Sequence, residues 1–201
     1  MQAAETIQLP APGLSGQQSL EALLQRRHSV REYSDQALTL AQLGQLLWAA
    51  QGITHGSGYR TAPSAGALYP LELYAVVSHV TGLSKGIYHY QPGGHALVKT
   101  EDGDIRNDLA EAALSQASVA QAPVVIVFTA VLARTEKKYG PRAQRYVDIE
   151  VGHAAENLVL QAGALGLGTV DVGAFDDEGV ARVLQLPPDR KPLLLMPVGR
   201  Q

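Results

Sequence analysis

A continuous apolar run, Pro123 to Leu132 (PVVIVFTAVL), narrows the folds open to this chain more than any other segment. A strand with one solvent-exposed face alternates apolar and polar residues, whereas a strand buried on both faces is apolar throughout. The run therefore predicts a central strand with further layers packed on both sides. Leu71 to Ser78 (LELYAVVS) predicts a second strand, and Ile87 to Gln91 with His95 to Lys99 predicts a hairpin around Pro92-Gly93-Gly94.

Helices are expected where apolar residues recur at helical spacing between capping and helix-ending residues. The predicted helices span residues 19–27, 39–52, 104–115, 142–165 and 177–184, and short strands are predicted at 169–172 and 193–198. In the first helix, Leu20, Leu23 and Leu24 should face inward. Small residues along the 142–165 helix allow close packing, so we expect it at the centre of the fold or of a dimer. Helices mixed with a hairpin indicate an α+β fold rather than a regular βαβ succession.

The composition favours one folded unit and excludes several kinds of chemistry. Its 201 residues suffice for a single domain, expected at 19–201, behind an arm at 1–18. A net charge of −3 offers no basic surface to nucleic acid or anionic lipid, and the absence of cysteine excludes disulfides and thiolates. The histidines have no metal-type spacing, so no metal site is expected. No apolar run approaches the roughly 20 residues that cross a bilayer, so we expect a cytoplasmic protein.

Three arginines and a serine crowd the segment Arg26 to Arg31 (RRHSVR). Arg27, Ser29 and Arg31 alternate, so an extended stretch would point all three to one side. Guanidinium groups form charge-assisted hydrogen bonds with phosphate, and a serine hydroxyl adds a neutral donor. A solvated basic end of a helix, favoured by the helix dipole, explains the same residues about equally well.

A loop of small residues, Pro63 to Pro70 (PSAGALYP), immediately precedes a predicted strand. Small residues let a backbone lie flat against a planar ligand, and Ser64 and nearby amides can donate hydrogen bonds to it. Taken alone, this composition is more typical of an ordinary loop that leads into a strand.

These two segments, followed by LGLGTVDVGAF at 165–175 and PVGR at 197–200, resemble the FMN-dependent nitroreductase superfamily in type and order. The PSAGALYP form is most similar to the peptide azoline dehydrogenase branch. The resemblance implies a nitroreductase-like fold, in which a mixed, mainly antiparallel sheet is flanked by helices. It also implies an intertwined homodimer with FMN at the interface, each site being built from both chains.

The resemblance assigns a role to each matching segment. Arg27, His28, Ser29 and Arg31 would hold the phosphate and ribityl chain, with Arg200 completing the phosphate site. The flavin ring would be lined by the other subunit's Pro63, Ser64, Ala65, Gly66 and Ala67, and flanked by Asp171, Val172, Gly173 and Ala174. A backbone N–H of Gly173 or Ala174 would donate to the nitrogen that carries the hydride, which makes these two the expected catalytic positions.

The chain departs from the superfamily pattern at three positions. Many nitroreductases carry Asn, Gln and Glu where this chain has Ala67, Tyr69 and Gly173. At Ala67, one polar contact to the flavin's pyrimidine edge is missing or is replaced by a backbone group.

The expected activity is a ping-pong hydride transfer from NAD(P)H through FMN to a small electron-poor acceptor such as a nitroarene, quinone or enone. Three alternatives remain: an azoline-dehydrogenase-like oxidase, a flavin-binding module without turnover, and an anion-binding interaction domain. The oxidase would need a proton acceptor, for which Lys138 and Tyr139 are candidates by type. Their segment, Arg134 to Arg145, is expected to be a solvated connecting loop rather than a mobile lid over the ring.

Overall fold

The computed structural model describes residues 5–56 and 58–201. The helices are α1 Leu20–Arg26, α2 Leu40–Gln51, α3 Arg106–Ala112, α4 Ala117–Gln121, α5 Ala133–Tyr139, α6 Ala143–Ala164 and α7 Asp177–Val183. The strands are β1 Thr6–Gln8, β2 Leu38–Thr39, β3 Leu71–Val77, β4 Val80–Thr81, β5 Gly86–Gln91, β6 Ala96–Asp102, β7 Val124–Ala130, β8 Gly168–Thr169 and β9 Lys191–Gly199. Short 3₁₀ turns lie at Ala65–Ala67 and Gly140–Arg142.

One antiparallel sheet organises the molecule. Its seven strands follow the order β1-β6-β5-β3-β7-β9-β8, and every neighbouring pair is antiparallel. A separate short pair, β2 with β4, is parallel. The predicted α+β class and the predicted hairpin, which is β5 with β6, are confirmed.

The central strand β7 is buried along its whole length, as its apolar run predicts. Val124, Ile126 and Phe128 pack into the core on the side of α2 and α6. Val125 and Val127 pack into the core on the side of α3, α4 and α7. Successive side chains of a strand point to opposite faces, so an apolar residue at every position serves both layers.

The helix caps of α2 follow the sequence signals. The Thr39 side chain accepts from the Gln42 N–H while the Gln42 side chain accepts from the Thr39 N–H, which completes the capping box. Helix α6 matches the predicted long helix within a residue at each end, and it ends before Gly166, whose φ is +69°.

Two predictions are wrong, one about the burial of α1 and one about the secondary structure of residues 134–145. Helix α1 has no buried residue, and Leu20 and Leu24, expected on an inner face, are 56% and 51% exposed. The segment 134–145, expected to be a loop, consists of most of α5, a 3₁₀ turn and the start of α6. The segment was mistaken for a loop because it is rich in charged residues, although Thr135 within it is buried.

The helix expected at 104–115 is shorter than predicted. It ends at Ala112, because Leu114 and Ser115 have φ of +57° and +58°, outside the helical range. The following helix α4 was not predicted. Asp104 nevertheless accepts from the Arg106 N–H at 3.4 Å, near the start of α3.

Part of the segment expected as an arm belongs to the sheet. Strand β1 pairs with β6 through Thr6–Gln8, and Leu9 is buried in the core. In the ranges 5–56 and 58–201, no helix combines the length and apolar character needed to cross a membrane.

Candidate active site

The segment after α1 is extended and anchored by one buried residue. Arg27 has φ −59° and ψ 133°, which ends the helix. Val30 is buried, and its N–H donates to the Thr169 carbonyl at 2.9 Å. A side chain on Gly168 would meet Val30, because its Cβ would lie 2.5 Å from Val30 Cγ1. Alternate residues of an extended chain face opposite ways, so the residues on either side of Val30 point outward.

The polar and cationic side chains of this segment differ in whether they have a hydrogen-bond partner. Arg26 donates to the side chain of Gln18. Arg27, Ser29 and Arg31 are exposed, and within the described residues their side chains form no hydrogen bond or ion pair. Arg27, Ser29 and Arg31 are therefore free to bind an anion, whereas Arg26 is already occupied.

A pocket of about 270 Å³ opens beside this segment. The His28 ring lies at its rim, with Nδ1 2.9 Å from the Arg26 carbonyl and Nε2 3.4 Å from Gln201 Nε2. The opposite wall comes from the last turns of α6 and the residues that follow it. Its lining includes Leu23, Val159, Leu160, Gly163, Leu167 and Thr169.

The end of the chain lies against the same segment. The Tyr33 hydroxyl is 2.7 Å from the Val30 carbonyl and 3.0 Å from that of Pro197. The Ser34 N–H donates to the Arg200 carbonyl at 2.8 Å. The backbone of Arg200 therefore lies against the segment that follows the early arginines.

The segment Asp171–Ala174 joins this cluster. Val172 exchanges backbone hydrogen bonds with Leu195 at 2.9 and 3.0 Å, which fixes the chain just before Gly173. Gly173 and Ala174 are exposed, and their N–H groups have no backbone partner in the described part of the chain. Partial burial raises the pKa of Asp171, and the nearby Arg27 guanidinium opposes that rise. One chain thus brings together three of the four predicted segments.

The fourth segment, Pro63 to Pro70, forms a compact turn. The Ser64 hydroxyl accepts from the Tyr69 N–H at 2.9 Å, and the Ser64 carbonyl accepts from the Ala67 N–H at 3.0 Å. Gly66 has φ of +65°, and Ala67 and Tyr69 also have positive φ. Pro63, Gly66 and Ala67 are exposed, whereas Ser64 and Ala65 are half-buried.

Helix α5 packs directly over this loop. A Cβ on Gly66 would lie 2.9 Å from Tyr139 Oη and 3.0 Å from Lys138 Nζ. Arg134, one turn earlier on α5, donates from Nη1 to the Tyr69 carbonyl at 2.9 Å. The two proton-acceptor candidates named by residue type are thereby placed at the small-residue loop.

An ion-pair network that was not predicted fixes α5 to the sheet. Arg134 Nη2 lies 2.5 Å from Glu72 Oε1, and Glu72 Oε2 lies 2.6 Å from His89 Nε2. Burial raises the pKa of Glu72, but hydrogen bonds from His89 and Arg134 outweigh burial and lower it to about 2. No sequence signal links these residues, because they lie on separate elements.

A buried carboxyl, Glu150, was also missed. It lies on α6 beneath the loop, between Val147 and Ala154 on the predicted apolar face. Burial raises its pKa to about 7, against hydrogen bonding from Ser64 and the charge of Arg60. A glutamate within an apolar helical stripe was the available signal.

The loop and the arginine cluster lie at different heights along α6. Glu150 is near the loop, whereas Leu160 lines the pocket beside the arginines. Ten residues of helix separate them, about 15 Å at roughly 1.5 Å per residue. Within the described residues, no hydrogen bond or ion pair joins 26–31 to 63–67.

Comparisons with known proteins agree with this architecture. A candidate nitroreductase from Methanocaldococcus jannaschii is 46% identical over 197 residues, covering 98% of each chain. The crystal structure of a candidate nitroreductase from Anabaena variabilis superposes with a TM-score of 0.87 at 30% identity, over 98% of this chain. The present chain spans only 42% of that longer chain.

A further solved structure shares the fold at lower identity. The E. coli microcin synthetase complex, solved with a truncated pro-microcin bound, matches with a TM-score of 0.74. The match covers 96% of this chain and 77% of the microcin synthetase chain at 24% identity, and it shows a shared fold alone.

The sequence profile of the Nitroreductase family matches residues 24–200, nearly the whole of the described fold. With that match, the extended similarity to the Methanocaldococcus relative and the shared antiparallel architecture, this chain belongs to the nitroreductase family.

Proposed function

We propose that this protein is an FMN-dependent oxidoreductase that passes a hydride from NAD(P)H to a small electron-poor acceptor by a ping-pong mechanism. The observation that carries the proposal is the set of unengaged donors Arg27, Ser29 and Arg31, of which Arg27 lies near Asp171, two residues before the exposed Gly173. The N–H groups of Gly173 and Ala174 have no backbone partner in the described residues. Guanidinium groups and a hydroxyl suit a phosphate monoester, and free backbone N–H groups suit ring nitrogens and carbonyls.

The donor set fits FMN better than a bare anion. Arg27, Ser29, Arg31 and Arg200 offer charge and hydrogen bonds for a phosphate, with His28 beside them. Asp171 to Ala174 lies next to this cluster but carries no cation, so it suits the uncharged part of a larger ligand. A free phosphate would need only the arginines.

We propose further that each site is completed by a second copy of the chain. Glu150, near the loop Pro63–Ala67, and Leu160, in the pocket beside the arginines, are ten residues apart on α6, about 15 Å along the helix. Leu20, Leu24 and Ile149 are exposed on α1 and α6, and an apolar surface of this kind is typical of an interface. In such a dimer, the loop of one protomer would line the ring held by its partner.

FMN would supply the hydride chemistry, and the protein would supply binding and orientation. Arg27, Ser29 and Arg31 would hold the phosphate end. The N–H of Gly173 or Ala174 would donate to the edge of the ring, and the small residues Ser64 and Ala65 would leave its face open for a stacked substrate.

Flavin titration followed by anaerobic reduction tests the proposal. The purified protein should bind FMN with a change in flavin absorbance, and NADH or NADPH should then bleach the 450-nm region, roughly the flavin band that reduction removes. A nitroarene, quinone or enone should restore the colour. A protein that gains no flavin would refute the proposal, and one that binds FMN but is not reduced would be a flavin-binding module.

A second candidate activity rests on the position of Lys138 and Tyr139 against the loop at Gly66. An oxidase acting on a peptide azoline needs a proton acceptor near the flavin, and the neutral amine of Lys138 or the phenolate of Tyr139 at this place could serve. Incubation of the oxidised protein with an azoline peptide and oxygen tests it. Conversion to the azole that is lost in Tyr139→Phe would favour this activity over the reductase.

A further inference from the structure

The loop Pro63–Pro70 is held in a conformation that two of its residues do not favour. Gly66, Ala67 and Tyr69 have φ of +65°, +54° and +45°, within the left-handed region. Glycine adopts this region readily, whereas alanine and above all a bulky tyrosine are strained there. Such strain persists only where the surrounding structure fixes the backbone, and it clusters at sites that bind ligands. The contacts that fix Tyr69 therefore indicate how the loop is used.

Three groups of Tyr69 have a partner. Its N–H donates to the Ser64 hydroxyl at 2.9 Å, within the loop itself. Its carbonyl accepts from Arg134 Nη1 at 2.9 Å, and the centre of its ring lies 4.8 Å from the Arg60 guanidinium. Because both arginines lie outside the loop, these two contacts fix where the loop lies relative to the rest of the protein.

Arg134 has a second partner, which ties the loop to the sheet. Its Nη2 lies 2.5 Å from Oε1 of Glu72, the second residue of β3, and Oε2 of Glu72 lies 2.6 Å from His89 Nε2 on β5. A guanidinium group is planar and presents its donors in a fixed fork, so two bonds from it set the positions of both partners. One side chain of α5 thus holds the carbonyl of Tyr69 and the start of β3, on either side of Pro70.

The same helix brings two further side chains to the loop. Lys138 lies one turn after Arg134, and Tyr139 follows it. A Cβ on Gly66 would lie 3.0 Å from Lys138 Nζ and 2.9 Å from Tyr139 Oη, so both polar groups reach the exposed turn of the loop. The Tyr139 ring packs edge-on against Tyr146 of α6, with 4.8 Å between ring centres. A shift of α5 would therefore change how these two groups meet the loop.

We propose that Arg134 is a positioning residue that fixes the loop Pro63–Pro70 against Lys138 and Tyr139, so that this surface is formed before a ligand binds. That the ligand is FMN rests on the proposed function, whereas the fixing of the loop does not. A surface that is already ordered loses less conformational entropy on binding, and it therefore binds its ligand more tightly.

NMR of the ¹⁵N,¹³C-labelled protein without FMN tests the fixing of the loop. Backbone chemical shifts of Ala67 and Tyr69 report their left-handed conformation, and ¹⁵N relaxation reports their mobility. In Arg134→Met, the order parameters of both residues should fall from about 0.85 to below about 0.6, and their shifts should leave the left-handed range. Ile126, in the buried strand β7, should stay rigid, because a loss of stability alone does not change the folded state.

Two further variants complete this experiment. Arg134→Lys keeps a cation beside Glu72 but lacks the fork that also reaches Tyr69, so it should fold and still loosen the loop. Arg106→Met removes an arginine–carboxylate pair with Asp104 at the start of α3, and as the matched control it should leave the loop rigid. A rigid loop with wild-type shifts in either folded Arg134 variant would overturn the proposal.

The effect on the ligand is measured by FMN titration of the same variants. Both Arg134 variants should bind FMN about tenfold more weakly than the wild type, which corresponds to ordering roughly one residue of backbone on binding. Arg106→Met should bind as the wild type does. Wild-type affinity in a variant with a mobile loop would overturn the ligand part of the proposal. If the wild type does not bind FMN, the proposed function fails, but the NMR measurement still decides whether Arg134 fixes the loop.

Discussion

Two single substitutions test whether the early arginines hold the phosphate end of the proposed FMN. Arg31 is exposed and unengaged within the described chain, whereas Arg26 is bonded to Gln18. Arg31→Ala should weaken FMN by one to two decades, since a hydrogen bond to a charged group contributes about 1.5–3 kcal/mol. Arg26→Ala is the matched control and should change affinity little in a flavin fluorescence titration. Equal losses would mean that the phosphate lies elsewhere.

The buried Glu150 should also affect stability. Its pKa, about 7 in the folded state, lies above its usual value of 4.5, so the folded protein retains a proton that the unfolded chain releases. The free energy of unfolding should therefore fall as pH rises from about 4.5 to 7, by at most about 3 kcal/mol.

Urea unfolding at several pH values measures this change. Glu150→Gln should remove that fall and be more stable than the wild type at pH 8, while Glu156→Gln should keep the wild-type profile. If the free energy of unfolding of the wild type and of Glu150→Gln changed with pH in the same way, the assignment of the pH dependence to Glu150 would be wrong.

At this scale, the sequence identified residues that belong to motifs and missed those that depend on distant partners. The Arg27 to Arg31 pattern is local; in the structure Arg27 lies near Asp171, and Ser34, three residues after Arg31, contacts the Arg200 backbone. Glu150 becomes notable only when Ser64, far away in the chain, is known to lie beside it. Arg134 and Glu72 similarly gain a role through their contact.

At the scale of elements, the loop Pro63–Pro70 and helix α5 form one unit. Gly66 has φ of +65°, and a Cβ there would collide with Lys138 and Tyr139. Gly66→Ala should therefore destabilise the protein by about 1–3 kcal/mol, because alanine is strained at this positive φ and the ends of the Lys138 and Tyr139 side chains must move. Gly93→Ala, at a turn where the space around the residue is open, is the matched control.

Thermal unfolding and FMN titration of these two variants measure the effect. The Gly66 variant should lose both stability and affinity, while the Gly93 variant should resemble the wild type. A Gly66 variant indistinguishable from the wild type would show that the contact between loop and helix is unimportant.

Elements with strong local signals were predictable, and those that depend on tertiary contacts were not. Strand β7 and helices α2 and α6 follow directly from apolar runs and caps. Helix α5 was mistaken for a loop because most of its residues are charged, and it is retained by the Arg134–Glu72 pair rather than by an apolar face. Strand β1 exists only through its pairing with β6.

For the whole molecule, the exposed leucines of α1 predict a dimer. Leu20 and Leu24 repeat at helical spacing yet are about half exposed, so the amphipathic pattern has no partner within the described chain. The protein should sediment at twice the mass of one chain. Leu24→Glu should shift it toward the monomer and reduce FMN binding, because each site would lose its second half.

Leu114→Glu is the matched control for this experiment. Leu114 is also exposed, but it lies on the connection between α3 and α4. It should leave the dimer and FMN binding intact in analytical ultracentrifugation and flavin titration. A wild type that is monomeric while binding FMN would contradict the shared site.

The architecture of the whole molecule was predictable in class but not in arrangement. The mixture of helices and hairpin strands indicated α+β, and the four ordered motifs indicated the family. The strand order β1-β6-β5-β3-β7-β9-β8 could not be derived, because edge positions depend on pairings between segments far apart in the chain.

A heterodimer of two defective chains tests most directly whether each FMN site is shared. One chain carries Arg31→Ala and the other carries Ala65→Trp, which fills the space proposed for the ring, and differently tagged copies allow purification of the mixed dimer. If opposite protomers form each site, one site collects both defects and the other has none, so the heterodimer should bind half of the wild-type FMN. If one chain forms each site, both sites are defective, and a heterodimer with no site of wild-type FMN affinity would contradict the account.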